Sequence, residues 1–341
     1  MKYLYYPGCS LKSTGKPYEE SILSVFRVLD VEIEELKDWN CCGATQYMAV
    51  DEMKSFSLCA RNFALAVKQY APGKNEPVQI IAPCSACYSL LLKSQHYMDE
   101  NPEVGRVVNA ALKEVGYESE GLPKKVRIRH PLDVLANDIG VERIKEKVKK
   151  PLKGLKVIPY YGCLLVRPYA TFDNPYNPTS MDRLIQALGA EPVDWALKTR
   201  CCGGTLSGTI QGVGLRLSYL LLKEASRKGG ELLLTACPLC QFDLECFQDT
   251  MNKRFQYKVQ MPVAYFSQLI GKAFNLSDRE VGAQRLFIPM KLEAAASSIP
   301  LATSSGSIPA AMSWQRTDAS KGRVYSGSLK GPDARRAKTE E

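Results

Sequence analysis

Five cysteines recur in the same order in both halves of this chain, and no other sequence feature restricts its folding so tightly. The first set is Cys9, Cys41, Cys42, Cys84 and Cys87; the second is Cys163, Cys201, Cys202, Cys237 and Cys240. Each runs as a lone cysteine, a Cys-Cys-Gly triplet and a Cys-x-x-Cys pair, with matched cysteines offset by 154, 160 and 153 residues. Offsets this constant read as a duplicated domain with small loop insertions. A fold that serves both copies must draw thiols from three distant loops to one place. Soft metal centres make that demand, and apolar packing does not.

The repeat extends beyond the cysteines. Lys2 to Cys9 matches Lys156 to Cys163, Val28 to Glu32 matches Ala187 to Glu191, and Trp39 and Trp195 each fall shortly before a triplet. Short β-rich runs at Lys2 to Tyr6, Val78 to Ile81, Lys156 to Tyr160 and Leu232 to Leu234 end at or just before cysteines. Apolar residues at three- and four-residue spacing predict helices over Tyr18 to Leu29, Met53 to Gln69, Met181 to Leu188 and Leu215 to Lys228. The alternation predicts an α/β fold: two tandem homologous Cys-Cys-Gly domains, each with a small sheet flanked by helices. Ligands in such folds gather at the carboxyl ends of strands. A lysine-rich helix, Val141 to Lys150, is expected at the join, which divides the chain into 1–150 and 151–289. After Pro289 the sequence turns small, polar and aperiodic, and 290–341 reads as a disordered tail.

No apolar run is long enough for a membrane span, and Met1 to Cys9 does not resemble a signal peptide. A cytoplasmic location is therefore expected, where cysteine-rich enzymes bind metal rather than form disulfides. The net charge is +9, of which the tail carries +3. Dispersed basic residues give no nucleic-acid motif.

Cys-x-x-Cys puts two thiolates on one turn, a unit shared by zinc and iron-sulfur centres. Five thiols exceed the four of a cubane cluster or a structural zinc, so one is left for a bridging role. Zinc and a metal-free dithiol are the weaker alternatives, because each leaves part of the set unexplained. Cys59 and Cys246 have no counterparts and read as buried thiols. His96 reads as a surface residue after a helix. His130 sits at a strand end, where it faces a cluster or is structural or solvent-facing. Lys198 and Arg200 flank the second doublet, where they could hold an anion or simply lie on the surface.

On these residues the chain resembles the B subunit of heterodisulfide reductase. Tyr6-Pro7-Gly8-Cys9, Asp38-Trp39-Asn40-Cys41-Cys42-Gly43, Arg61-Asn62 and Pro262-Val263-Ala264-Tyr265-Phe266 fit its bacterial members over roughly residues 1–289. The resemblance implies two noncubane [4Fe-4S] clusters held by the ten cysteines and facing a shared cavity where a disulfide substrate is cleaved. It implies an iron-sulfur partner, the C subunit of that complex, with the flavin-containing A subunit behind it. The rival is a non-catalytic electron-transfer subunit of a succinate or fumarate reductase type of complex. One departure stands out. Between the doublet and the Cys-x-x-Cys lie 41 residues in the first half and 34 in the second. The excess is expected to enlarge the loop around Ala71 to Pro77.

Overall fold

The computed structural model describes residues 2–70, 76–292, 314–318 and 323–327. Two four-stranded sheets, both wholly parallel, carry the described residues up to Leu292. The first is built from β1 (Lys2–Tyr5), β2 (Glu32–Glu35), β3 (Val78–Ile81) and β4 (Val126–Arg129), in the order β2-β1-β3-β4. The second uses β5 (Lys156–Tyr160), β6 (Glu191–Pro192), β7 (Leu232–Thr235) and β8 (Val263–Tyr265), in the matching order β6-β5-β7-β8. The central strands are almost continuously apolar, Val-Gln-Ile-Ile in β3 and Leu-Leu-Leu-Thr in β7, because helices cover both faces.

In each sheet the strand order reverses direction between the first and third strands of its half. That switch point opens a crevice at the carboxyl ends, where helices leave on opposite faces. Cys9 and Cys163 follow the first strands, and Cys84 and Cys237 follow the third. The repeat therefore places its thiols at the one crevice each sheet provides.

The predicted helices form at Lys16–Val28, Glu52–Gln69, Ser180–Ala187 and Gln211–Arg227. Asp51 caps the second of these by accepting the Lys54 N–H at 3.0 Å. The helix expected over Val141 to Lys150 stops at Glu146. The N–H groups of Lys147 and Val148 tighten onto the Ile144 and Lys145 carbonyls at 3.1 Å, and those of Lys149 and Lys150 leave the helix for the Ala273 carbonyl at 2.9 Å.

The halves are interleaved. The helix after β8, Phe266–Ala273, packs on Lys16–Val28 of the first half, with Ser21 and Ser267 hydroxyls 2.6 Å apart. Reciprocally, the turns after β4 pack on Ser180–Ala187. Burial thus joins residues of both halves into one core. Residues 71–75, in the loop expected to be enlarged, lie outside the described residues. So does most of the expected tail, within which Trp314–Asp318 and Arg323–Gly327 pair antiparallel.

Candidate metal centre

Each half builds its thiol set the same way. Cys84 and Cys237 are the N-cap residues of Ser85–Glu100 and Pro238–Cys246, and Cys87 and Cys240 lie in the first turns of those helices. Helix N-termini favour the thiolate at these positions. Cys42 Sγ meets Cys87 Sγ at 3.3 Å, and Cys202 Sγ meets Cys240 Sγ at 3.3 Å. Cys41 and Cys9 sulfurs stand 3.7 Å apart. After each doublet the next backbone N–H groups turn back onto the sulfurs: Gly43 to Cys41 at 3.4 Å, Gly203 to Cys201 at 3.3 Å, Gly204 to Cys202 at 3.3 Å. This turn requires glycine, with φ at +83° in Gly43 and +89° in Gly203.

A tyrosine lies under each set. The Tyr6 hydroxyl donates to the Asn40 carbonyl at 2.9 Å and the Tyr160 hydroxyl to the Arg200 carbonyl at 2.7 Å. Each thus fixes the residue just before its doublet. Asn62 adds a second hold in the first half, exchanging bonds of 3.0 Å with Asn40. Arg61 donates to the Asp38 carbonyl at 2.8 Å and to Asn40 Oδ1 at 2.9 Å. The paired tyrosines were visible in the repeat, but their role was not.

The two sets meet. Cys84 and Cys237 contact each other across the halves. Ser85 Oγ donates to the Ala236 carbonyl at 3.1 Å. His130 is fully buried, and its Nε2 faces the carbonyls of Pro83 at 2.9 Å and Ala236 at 3.3 Å. Its Nδ1 accepts the Leu132 N–H at 3.1 Å. Two acceptors at one nitrogen and a donor at the other fix the Nε2–H tautomer. Burial lowers its pKa to about 4, so a neutral imidazole ties together the residues preceding both Cys-x-x-Cys turns. Of the three roles left open for His130, burial excludes the solvent-facing one and these bonds give the structural one.

All 12 cysteines are free. Contact with Cys42 and Cys9 lowers the Cys41 thiol, and contact with Cys163 lowers Cys201 to about 6. Contacts with Cys240 and Cys84 lower Cys237, while neighbouring thiols and burial raise Cys84, Cys87 and Cys240. These influences are overwhelmingly other thiols; a cation, Arg167, enters at Cys201. So many sulfurs cannot all ionise in a buried space without positive charge among them. Two thiolates on one tetrahedral metal stand about 3.8 Å apart at the usual bond length of about 2.3 Å. The separations here are near that and far from the 2.05 Å or so of a disulfide. The donor set therefore fits a metal-sulfur group. Among the described residues no three His, Cys, Asp or Glu side chains form a ready single-ion site.

Cys9, Cys41 and Cys201 are exposed and Cys163 is half-buried, whereas Cys42, Cys84, Cys87, Cys202, Cys237 and Cys240 are buried. Each set thus has an inner wall and an outer mouth. A cleft of about 540 Å³ is lined by Ala44 and Thr45 after the first doublet, Thr205 after the second, Ala86 beside Cys87, and Leu164 beside Cys163. A second hollow of about 820 Å³ joins Cys201 to Arg167, Arg200, Lys223 and Arg227.

Other expected residues fall differently. Lys198 is buried, with Nζ 2.7 Å from Asp182, and so is structural; Arg200 is exposed at the second hollow. His96 lies within its helix rather than after it, half-exposed and stacked on Tyr169 at 4.4 Å. Cys59 is buried as expected, with Sγ 3.4 Å from the Cys42 carbonyl. It does have a structural counterpart: Ser218 donates to the Cys202 carbonyl at 2.8 Å. A thiol replaced by a hydroxyl escapes a search for matching cysteines. Cys246 is only half-buried, because its short helix ends there.

A model of the Cysteine-rich domain family, CCG, matches residues 3–91 and 157–245. The 8-methylmenaquinol:fumarate reductase membrane anchor subunit of Wolinella succinogenes is 30% identical over 283 residues, 82% of this chain and 95% of its own. A protein of Archaeoglobus profundus that is like the heterodisulfide reductase B subunit is 29% identical over 291 residues, 82% of this chain and 93% of its own. The ferredoxin:CoB-CoM heterodisulfide reductase B subunit of Methanosarcina mazei is 27% identical, covering 82% and 91%. Among solved structures, a hypothetical protein from Helicobacter pylori shares the fold with a TM-score of 0.66 at 14% identity over 85% of this chain. This chain spans 52% of that one. Each domain match holds one five-cysteine set and three strands of one sheet, and the chain belongs to the CCG cysteine-rich domain family, whose members similar to it include proteins named for the heterodisulfide reductase B subunit.

Proposed function

We propose that this chain is the disulfide-reducing iron-sulfur subunit of a heterodisulfide reductase-like complex, organised as units 1–150 and 151–289. The ten cysteines would hold two noncubane [4Fe-4S] clusters. The observation that carries the reading is the contact of Cys84 with Cys237, which gives both thiol sets one inner wall and leaves both doublet loops on one cleft. When bound, such groups supply the two electrons that, with two protons, convert R–S–S–R′ into RSH and R′SH. The chain's own residues set the geometry. Tyr6 and Tyr160 hold the doublets, and His130 and Ser85 fix the spacing of the inner turns. Ala44, Thr45, Leu164 and Thr205 shape the place where a disulfide could reach both sets at once. Electrons would come from an iron-sulfur partner of the C-subunit type, supplied in turn by a flavin partner of the A-subunit type.

The Wolinella relative supports a second reading, a relay subunit of a fumarate reductase-type complex. In the described residues no helix is long and apolar enough to cross a membrane. An anaerobic preparation of the complex decides between the two. The first reading expects about eight irons per chain and viologen-driven reduction of a disulfide. Electron delivery to a quinone with no disulfide reduced would refute it.

A further inference from the structure

Tyr18 and Tyr265 come from opposite halves and stack with ring centroids 4.4 Å apart and planes 9° from parallel. Both are 0% exposed. Neither hydroxyl has a hydrogen-bond partner among the described residues. Gln268 Oε1 accepts the Tyr265 backbone N–H at 3.0 Å, which leaves the phenol at the far end of the ring unengaged. A buried hydroxyl without an acceptor costs about 1–3 kcal/mol, and buried tyrosines ordinarily find one. Phenylalanine would fill the same space without that cost. Tyr265 closes β8 opposite Thr235, two residues before Cys237, and Gly15, three residues before Tyr18, lies against Pro238, the residue after Cys237. Burial pushes both phenols well above their ordinary range, so both remain donors. These donors without acceptors lie where the two thiol sets share their inner wall.

We propose that Tyr18 and Tyr265 are positioning residues whose hydroxyls donate hydrogen bonds to sulfur at the shared inner wall of the loaded sites. This rests on the reading that the thiols hold iron-sulfur groups. Hydrogen bonds to cluster sulfur stabilise the added negative charge of the reduced form and so raise the reduction potential. The phenols come one from each half, so the pair acts at the seam of the two sets, where a potential shift affects transfer between them.

The test compares the full-length parent with Tyr18→Phe, Tyr265→Phe and the double variant, loaded with iron and sulfide anaerobically. Iron content, thermal unfolding of the metal-free chains and an electron paramagnetic resonance redox titration are measured. The double variant is expected to show an about tenfold lower ratio of reduced to oxidised centre at fixed potential, 59 mV for one electron. Metal-free variants are expected to melt no lower than the parent, since they lose no satisfied bond. A variant that keeps its metal-free stability but takes up less iron also supports the proposal. Unchanged titrations in fully loaded variants would overturn it alone, as would metal-free variants that melt below the parent. A parent that binds no iron would overturn the cluster reading beneath it.

Discussion

Changing His130 to glutamine tests whether the seam between the two Cys-x-x-Cys turns is held by a neutral imidazole. Glutamine keeps a donor for the Pro83 and Ala236 carbonyls but cannot titrate. Burial lowers the His130 pKa from 6.5 to about 4. The unfolded chain therefore binds more protons than the folded one between those values. The stability His130 contributes is full above about pH 6.5 and is lost as pH falls toward 4. At pH 5 most unfolded molecules carry the charge and few folded ones do, which amounts to about 2 kcal/mol. Urea unfolding of the metal-free chain at pH 7.5 and 5.0 measures it. The parent should lose about 2 kcal/mol more than the variant between those conditions. Cys201 at about 6 and Glu245, raised by burial to about 7, titrate in both proteins and cancel in the difference. Equal losses would refute the buried neutral imidazole.

Gly203→Ala should empty the second site. A Cβ there would lie 2.8 Å from Gly214 Cα, on backbone at φ +89°, which costs about 1–2 kcal/mol before the clash; iron per chain should fall by about half. Gly43→Ala meets two side-chain ends that can give, the Ser55 hydroxyl at 3.1 Å and Leu58 Cδ1 at 3.3 Å, and no backbone closer than 3.5 Å, so its iron loss should be the smaller. Cys59→Ser should leave iron content unchanged and stability within about 0.5 kcal/mol, because it copies the Ser218 to Cys202 arrangement; iron loss would make Cys59 a ligand. Lys198→Ala should lower unfolding stability by about 2 kcal/mol, because Asp182 loses its cation and keeps the Tyr161 hydroxyl as donor. A variant of full stability with only weakened anion binding would return Lys198 to the substrate.

Much of the fold was legible because its signals are local. The apolar runs at Val78 to Ile81 and Leu232 to Thr235, each with a Cys-x-x-Cys just beyond, need only their neighbours to read as strand and turn. Constant offsets then supply the second domain. The end of the Val141 helix was not legible, since the acceptor for Lys149 and Lys150 is Ala273, more than a hundred residues away. Cys59 and Ser218 hid their equivalence by differing in residue type while sharing a role. His130 was ambiguous for a related reason: a strand-end histidine faces whatever the opposite half places there.

By itself the sequence determined which ten thiols form two sets, the α/β alternation that carries them, and the strand ends where they emerge. Spacing along one chain is enough for that, because every step runs through residues close in sequence. The tertiary structure alone decided that the sets share a wall. Contact of Cys84 with Cys237, the His130 fork and the Tyr18–Tyr265 stack each join residues more than a hundred positions apart. They arise from the exchange of helices between the halves. No periodicity records that exchange, because it depends on which apolar faces find each other when the two copies fold together.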